Sequence, residues 1–145
     1  MEVRILVRPW ERKDVAQLAG LSGELGYAAT EDQVARRLAQ MGSHGAVLVA
    51  ADCASDRVLG WIELQVITHL TSDPHLEICG LVVSGEARSR GIGSLLVGAA
   101  EETARDKNVR CLRVRSNIIR DRAHGFYERL GFTNVKTSKV FEKAL

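Results

Sequence analysis

The chain has 145 residues, of which 46% are hydrophobic and 26% are charged, and its net charge is +2. This balance is typical of a globular protein, and the length predicts one domain over residues 1–145. No stretch approaches the roughly 20 apolar residues of a membrane span, and the N-terminus has no apolar signal core, so a cytoplasmic protein with no membrane partner is expected. The small net charge also argues against a nucleic-acid partner, although residues 110–122 form a local Arg-rich run.

Three cysteines occur at positions 53, 79 and 111, with no Cys-x-x-Cys pair among them. An odd count without paired spacing argues against a disulfide framework and against a zinc site, so no metal is expected. Cys79 and Cys111 fall in predicted strands, where we expect small buried residues rather than nucleophiles.

The first half of the chain predicts a strand over residues 3–7 and a short helix from Asp14. Glycines from Gly20 onward interrupt that helix early and leave Leu25 and Tyr27 in a loop. Thr30 then begins a capping-box helix, and residues 46–51 and 58–67 form an antiparallel hairpin.

The second half predicts a chain break at residues 72–74, a central strand over residues 75–83 and a long helix over residues 91–107. A strand over residues 110–116, a helix ending at Gly131 and a last strand over residues 132–142 follow. The order β-α-α-β-β-β-α-β-α-β suits an α/β fold with a mixed sheet and helices on its faces.

The turn between the central strand and the long helix carries Arg88, Arg90, Gly91 and Gly93. Backbone N–H groups at a helix start, together with glycines and arginines, are typical of a phosphate site. An ordinary solvated turn explains the same residues equally well. The spacing matches neither a P-loop nor a dinucleotide fingerprint.

The pattern V-V-x(4)-R-x-x-G-x-G-x-L-L over residues 82–96 is followed by A-H-G-F-Y-E-R-L-G-F over residues 123–132. With both blocks in this order, the chain resembles the GCN5-related N-acetyltransferases (GNAT) over nearly its whole length. The resemblance implies that the fourth and fifth strands splay apart and that acetyl-CoA lies in the gap.

The resemblance also implies which residues bind acetyl-CoA. The backbone of the turn would hold the pyrophosphate, and the fourth strand would line the pantetheine arm. The implied cofactor-binding residues are Leu81, Val82, Val83, Arg88, Ser89, Arg90, Gly91, Ile92, Gly93, Ser94 and Tyr127. Many members carry an asparagine seven residues before the tyrosine. Here Arg120 stands at that position and Asn117 lies three residues earlier, so both remain candidates.

Two catalytic roles follow from the resemblance. Tyr127 would be the general acid that protonates the departing thiolate, although its helix face also suits core packing. Glu77 would bind the acceptor and act as its base, and we expect it to share a strand face with Cys79, Leu81 and Val83. A solvated strand-end glutamate is the alternative, and His75 is a second candidate base.

In the family, the acceptor pocket is built mainly by the first two helices and their loop, which here contains Tyr27, and by the third and fourth strands. Carboxylates nearby, at Glu24, Glu31 and Asp32, suit a cationic amine. The resemblance thus implies direct transfer from acetyl-CoA to a primary amine of a small molecule, in a ternary complex, by an enzyme that could form a homodimer. The alternatives are a non-catalytic acyl-CoA-binding module and an acetyltransferase for protein or peptide amines.

Overall fold

The computed structural model describes residues 4–88 and 90–145. The described helices and strands are β1 (Ile5–Pro9), α1 (Val15–Leu25), α2 (Glu31–Met41), β2 (Gly45–Asp52), β3 (Val58–His69), β4 (Ser72–Val83), α3 (Ile92–Asp106), β5 (Leu112–Val114) and α4 (Asp121–Arg129). The strands form one sheet in the order β1-β2-β3-β4-β5, in which only the β4–β5 pair is parallel. The predicted α/β class with a mixed sheet is confirmed.

Two compact units make up the chain, one ending at Val114 and one beginning at Arg115. The sheet, α1, α2 and α3 belong to the first unit, and α4 belongs to the second. A single domain over residues 1–145 stays a prediction. In the described part of the chain, no helix is long and apolar enough to cross a membrane.

Helix α1 is longer than its glycines predict. It continues past Gly20 to Leu25 and ends at Gly26, whose φ of 102° is left-handed. The predicted loop at Leu25 is therefore wrong. Leu18 and Leu21 are 3% and 5% exposed, and their burial outweighs a cost of about 1 kcal/mol for each helical glycine.

The predicted capping box at the start of α2 is confirmed. The Gln33 backbone N–H donates to Thr30 Oγ1 at 3.1 Å, and the Thr30 N–H donates to Gln33 Oε1 at 3.0 Å. The helix ends before Gly42, whose φ is 53°. Two orphan N–H groups of the first turn are satisfied reciprocally, which sets where α2 begins.

The sheet is buried on both faces. One face packs against α1 and α2 through a cluster that contains Leu18, Leu38, Val49 and Trp61. On the other face, Ile92 and Leu96 of α3 approach Gly60 of β3 closely. Strand β3 separates these two apolar layers, so its side chains alternate between them.

Strand β4 begins at Ser72, three residues earlier than predicted, because Ser72 pairs directly with His69 of β3. Its pairing with β5 covers only Leu76, Glu77 and Ile78 among the described residues. Beyond Ile78, β4 continues for five residues without a partner assigned in β5. The two strands thus separate as the splayed arrangement predicts.

The predicted last strand over residues 132–142 is wrong, because this segment has no strand in the structure. Val135, Val140 and Phe141 are 74%, 84% and 88% exposed. A strand is stabilised by pairing and by burial of one face, and these side chains bury little apolar surface. The first strand, predicted over residues 3–7, spans Ile5–Pro9. Position 3 lies outside the described residues, and position 4 precedes β1.

Candidate active site

Strand β4 carries a bulge at Cys79 where it pairs with β3. Gly80 pairs with Glu63 and Ile78 pairs with Leu64, so Cys79 is one extra residue between two consecutive pairs. A bulge interrupts the alternation of side chains along a strand. Cys79 and Gly80 consequently line the same cavity.

The expectation that Leu81 and Val83 share a face with Glu77 is therefore wrong. Leu81 pairs with Ile62 and Val83 pairs with Gly60, which lie on the side of the sheet that packs against α3. Glu77 lies before the bulge, so its side chain has the opposite orientation relative to these two residues.

A cavity of about 330 Å³ lies between α1, α2 and the sheet. Its apolar walls are Leu18, Leu25, Val34, Leu38, Met41 and Val47. Its polar lining includes Tyr27, Arg37, Glu63 and Cys79. An apolar cleft with a few convergent polar groups is the usual form of a small-molecule site.

Glu63 is the carboxylate in this cavity. The half-buried side chain comes from the middle of β3, and burial raises its pKa above the ordinary value. The carboxylates expected to face the acceptor, at Glu24, Glu31 and Asp32, are absent from the lining found among the described residues. Glu24 instead accepts a hydrogen bond from the Gly85 N–H at 2.9 Å.

Cys79 and Cys111 are both exposed, contrary to the prediction that they are buried. Burial of the Cys79 thiol group, with the nearby charges of Glu63 and Glu77, raises its pKa to about 11. Cys79 is thus a protonated thiol near neutral pH, and only the thiolate is a good nucleophile.

Glu77 and His75 lie side by side on β4, as their spacing predicts. The His75 Nε2 atom lies 3.3 Å from Glu77 Oε1, and the His75 side chain is 2% exposed while that of Glu77 is 16% exposed. His75 also stacks on His69 at a centroid distance of 6.0 Å. The Glu77 carboxylate is therefore partly removed from water and held by a neighbouring ring.

The strand-to-helix turn presents backbone and basic side chains together. Gly91 precedes α3 with a left-handed φ of 75°, which a glycine adopts without strain. Arg88 and Arg90 are both exposed. Val82 and Ile92 are 5% and 1% exposed, so the turn is attached firmly to the core. Of the predicted cofactor-binding residues, Ser89 lies outside the described residues.

Tyr127 belongs to α4 in the second unit. Burial raises the pKa of its phenol, and the positive charge of Arg120 acts against that shift. The ring contacts Phe126 and Phe132 edge-on, with centroid distances of 5.2 and 5.5 Å. The phenol is therefore protonated at neutral pH and fixed by aromatic neighbours.

Asn117 organises the segment before α4. Its side-chain Oδ1 accepts from the Ile119 N–H at 3.2 Å, and its carbonyl oxygen accepts from the Arg120 N–H at 3.0 Å. The same carbonyl lies 2.9 Å from His124 Nε2. Asn117 thus shapes a local turn in the described structure, while Arg120 is exposed beside it.

Residues 9–132 match the model of the acetyltransferase (GNAT) family. The chain belongs to the GNAT family. The aminoalkylphosphonate N-acetyltransferase of Salmonella typhimurium strain LT2 is 34% identical over 113 residues, which are 77% of this chain and 71% of that protein. Family membership and this relative make the chain an acetyltransferase.

Solved GNAT-type structures share its fold. The aminoglycoside N-acetyltransferase AAC(6')-Iy in complex with CoA has a TM-score of 0.86 at 16% identity and covers 100% of this chain and 98% of its own. A Trypanosoma brucei acetyltransferase has a TM-score of 0.83 at 21% identity and covers 97% of this chain and 100% of its own. At these identities the likeness concerns the fold alone.

The sequence did not predict two cavity residues of this GNAT enzyme, Glu63 and Arg37. Glu63 interrupts an otherwise apolar strand, and a carboxylate between buried Ile62 and Leu64 is the signal that could have revealed it. The sequence around Arg37 is typical of a solvent-exposed helix face. Only the packing of α2 over the sheet brings these two residues to one cavity.

Proposed function

We propose that this GNAT enzyme transfers the acetyl group of acetyl-CoA to the primary amine of a small molecule. The observation that supports it best is the cavity of about 330 Å³ between α1, α2 and the sheet, whose volume lies at the lower end of the range for small-molecule sites. The Salmonella relative is named for an aminoalkylphosphonate and AAC(6')-Iy for aminoglycosides, both small amines.

The residues of the strand-to-helix turn suit an acyl-CoA. Gly91 places no side chain at the start of α3, and Arg88 and Arg90 add positive charge beside the first N–H groups of the helix. In this proposal the turn from Arg88 to Ser94 holds the pyrophosphate, and Leu81, Val82 and Val83 hold the pantetheine arm. Bound acetyl-CoA would supply the thioester that donates the acetyl group.

Acyl transfer to an amine requires the removal of one proton and the donation of another. Glu77 is the proposed base, since the carboxylate is partly buried beside His75. Tyr127 is the proposed acid, because burial keeps the phenol protonated and able to donate to a thiolate. Positioning of both reactants supplies much of the remaining rate enhancement.

Direct transfer in a ternary complex is favoured over a covalent enzyme intermediate. Cys79 is the cysteine that lines the cavity, and its thiol has a pKa of about 11. Such a thiol is mostly protonated at neutral pH and is a poor nucleophile. A cytoplasmic location and a homodimer remain expectations from sequence.

The test is an acetylation assay with a panel of small primary amines and of peptides with free amines, with the released CoA thiol as the readout. We expect turnover of small amines, with kcat reduced about 100-fold in Tyr127→Phe and in Glu77→Gln. Turnover of peptides alone would replace the small-molecule proposal, and binding of acetyl-CoA without turnover of any amine would contradict it.

A further inference from the structure

The acceptor cavity contains one arginine and one glutamate, and they are not paired with each other. Among the residues that the structure describes, no ion pair or hydrogen bond involves the side chain of Arg37 or that of Glu63. Every other charged side chain is absent from the lining that the described residues form. Two opposite charges in one small cavity are thus available to a ligand.

The two charges lie at different depths. Glu63 belongs to β3, is paired with Gly80 of β4 and is half-buried, so its carboxylate lies at the floor that the sheet forms. Arg37 belongs to α2 and is exposed, so its guanidinium lies at the rim. The separation of floor and rim means that one molecule must extend across the cavity to contact both.

Each group has a definite chemical preference. A half-buried carboxylate without a counter-ion is costly, and an ammonium group that binds it removes that cost. A guanidinium carries several N–H donors in a rigid plane and binds phosphonate, phosphate or carboxylate oxygens in pairs. The apolar walls between them suit a short methylene chain.

We propose that the acceptor is a short zwitterionic amine, whose ammonium binds Glu63 and whose anionic group binds Arg37. This inference rests on the proposed function, and it replaces the purely cationic acceptor expected from the loop sequence. The ammonium end then lies beside β4, the strand that the proposed function assigns to the acyl donor. The anionic end lies at the opening of the cavity, on α2.

Four acceptors of matched length test this proposal: 3-aminopropylphosphonate, 4-aminobutyrate, 3-aminopropanol and 1,3-diaminopropane. We expect kcat/KM for the better of the two anionic acceptors to exceed that of the neutral aminoalcohol by about tenfold or more, as one charge-assisted contact implies. The diamine should be the poorest, because it places a second cation near Arg37. The phosphonate and the carboxylate distinguish which anion the rim prefers.

Variants locate the two contacts. Arg37→Gln should abolish the advantage of the anionic acceptors over the aminoalcohol, whereas Arg36→Gln, at an exposed neighbour outside the cavity, should keep that advantage. Arg37→Glu should make the diamine a better acceptor than the phosphonate and the carboxylate. Glu63→Gln should raise KM for all four acceptors, since each carries an ammonium, and Glu102→Gln on the exposed side of α3 should not.

A wild-type preference for the diamine or the aminoalcohol would overturn the zwitterion proposal and leave small-amine acetylation intact. An equal effect of Arg36→Gln and Arg37→Gln would also overturn the zwitterion proposal, because the preference would then come from general surface charge and not from a contact with Arg37. The absence of turnover with every amine, in a protein that binds acetyl-CoA, would overturn both proposals. The wild-type comparison decides even where a variant fails to fold.

Discussion

Glu63 of β3 pairs with Gly80 of β4, and not with Cys79, which has no partner of its own in the register. The extra residue turns both Cys79 and Gly80 toward the cavity that Glu63 lines. A bulge beside an active site commonly redirects a side chain in this way. Here it leaves room above Gly80, and the Trp61 ring fills part of that room.

Gly80→Ala should destabilise the fold and constrict the cavity. A Cβ atom at this position would lie 2.9 and 3.0 Å from two atoms of the Trp61 ring, which is buried. Overpacking of this kind costs about 1–3 kcal/mol. Urea unfolding measures that loss, and KM for the amine should rise with it because Trp61 lines the cavity.

Gly98→Ala is the matched control for that experiment. Gly98 lies inside α3, and a Cβ there would meet nothing within 4 Å. Alanine should therefore raise the free energy of unfolding by about 0.5–1 kcal/mol through helix propensity. Equal stability of the two variants would show that the close contact with Trp61 does not constrain β4.

Asp14→Ala should remove a buried ion pair that joins β1 to the start of α1. Asp14 is fully buried, its carboxylate contacts Arg8 at 2.8 and 3.1 Å, and it accepts from the Glu11 N–H at 2.7 Å. Loss of one partner from such a pair costs about 3–5 kcal/mol. Asp73→Ala, at an exposed carboxylate, should cost little by comparison.

The cost of Asp14→Ala should depend on pH. Burial alone would raise the pKa of Asp14, but the hydrogen bonds from Arg8 and the Glu11 N–H outweigh it and lower the pKa. Because the pKa of Asp14 is lower in the folded state, its carboxylate stabilises the fold at pH values above the unfolded pKa of about 3.9. This stabilisation is lost as the pH falls through the folded pKa. Urea unfolding should therefore show a constant cost from pH 7 to 5 and a shrinking one below about pH 4. A cost that stays unchanged at pH 3 would contradict the assignment.

Cys79→Ala should retain kcat within about a factor of two, because a thiol that is mostly protonated is a poor nucleophile. No acetylated enzyme should appear by mass spectrometry when acetyl-CoA is added without an amine. Alkylation of Cys79 should be slow at pH 7 and accelerate toward its pKa of about 11. An acetyl group on Cys79 that disappears on addition of amine would establish a covalent intermediate instead.

Arg90→Glu should prevent acetyl-CoA from stabilising the protein. A ligand that binds only the folded state at 100 times its Kd adds about 2.7 kcal/mol, which thermal unfolding detects as a rise in Tm. Lys107→Glu places the same charge change just beyond the other end of α3 and should keep the rise. The Tm of each variant with acetyl-CoA is compared with its own ligand-free Tm. An equal rise in both variants would show that Arg90 does not contribute to acetyl-CoA binding.

The sequence predicted most of the local structure. The Thr30 capping box, the long helix after Gly91 and the start of β3 at Val58 depend on neighbouring residues, so local patterns were sufficient. The GNAT blocks were recognisable for the same reason, since each is one contiguous segment. The roles of Tyr127 and Glu77 within those blocks stay predictions.

The errors have a common cause. Helix α1 continues through its glycines because Leu18 and Leu21 are buried against other elements. Residues 132–142 were predicted as a strand but have no strand in the structure, and Phe141 is 88% exposed. In both places burial or its absence, rather than intrinsic propensity, determined the outcome.

By itself, the sequence determined the family, the order of most elements and the basic glycine turn, because these are properties of contiguous residues. Only the tertiary structure decided which side chains share the cavity between α1, α2 and the sheet. Glu63 and Arg37 come from a strand and a helix that are distant along the chain, and the bulge at Cys79 depends on pairing between β3 and β4. Such a convergence requires packing and register, which local sequence patterns do not encode.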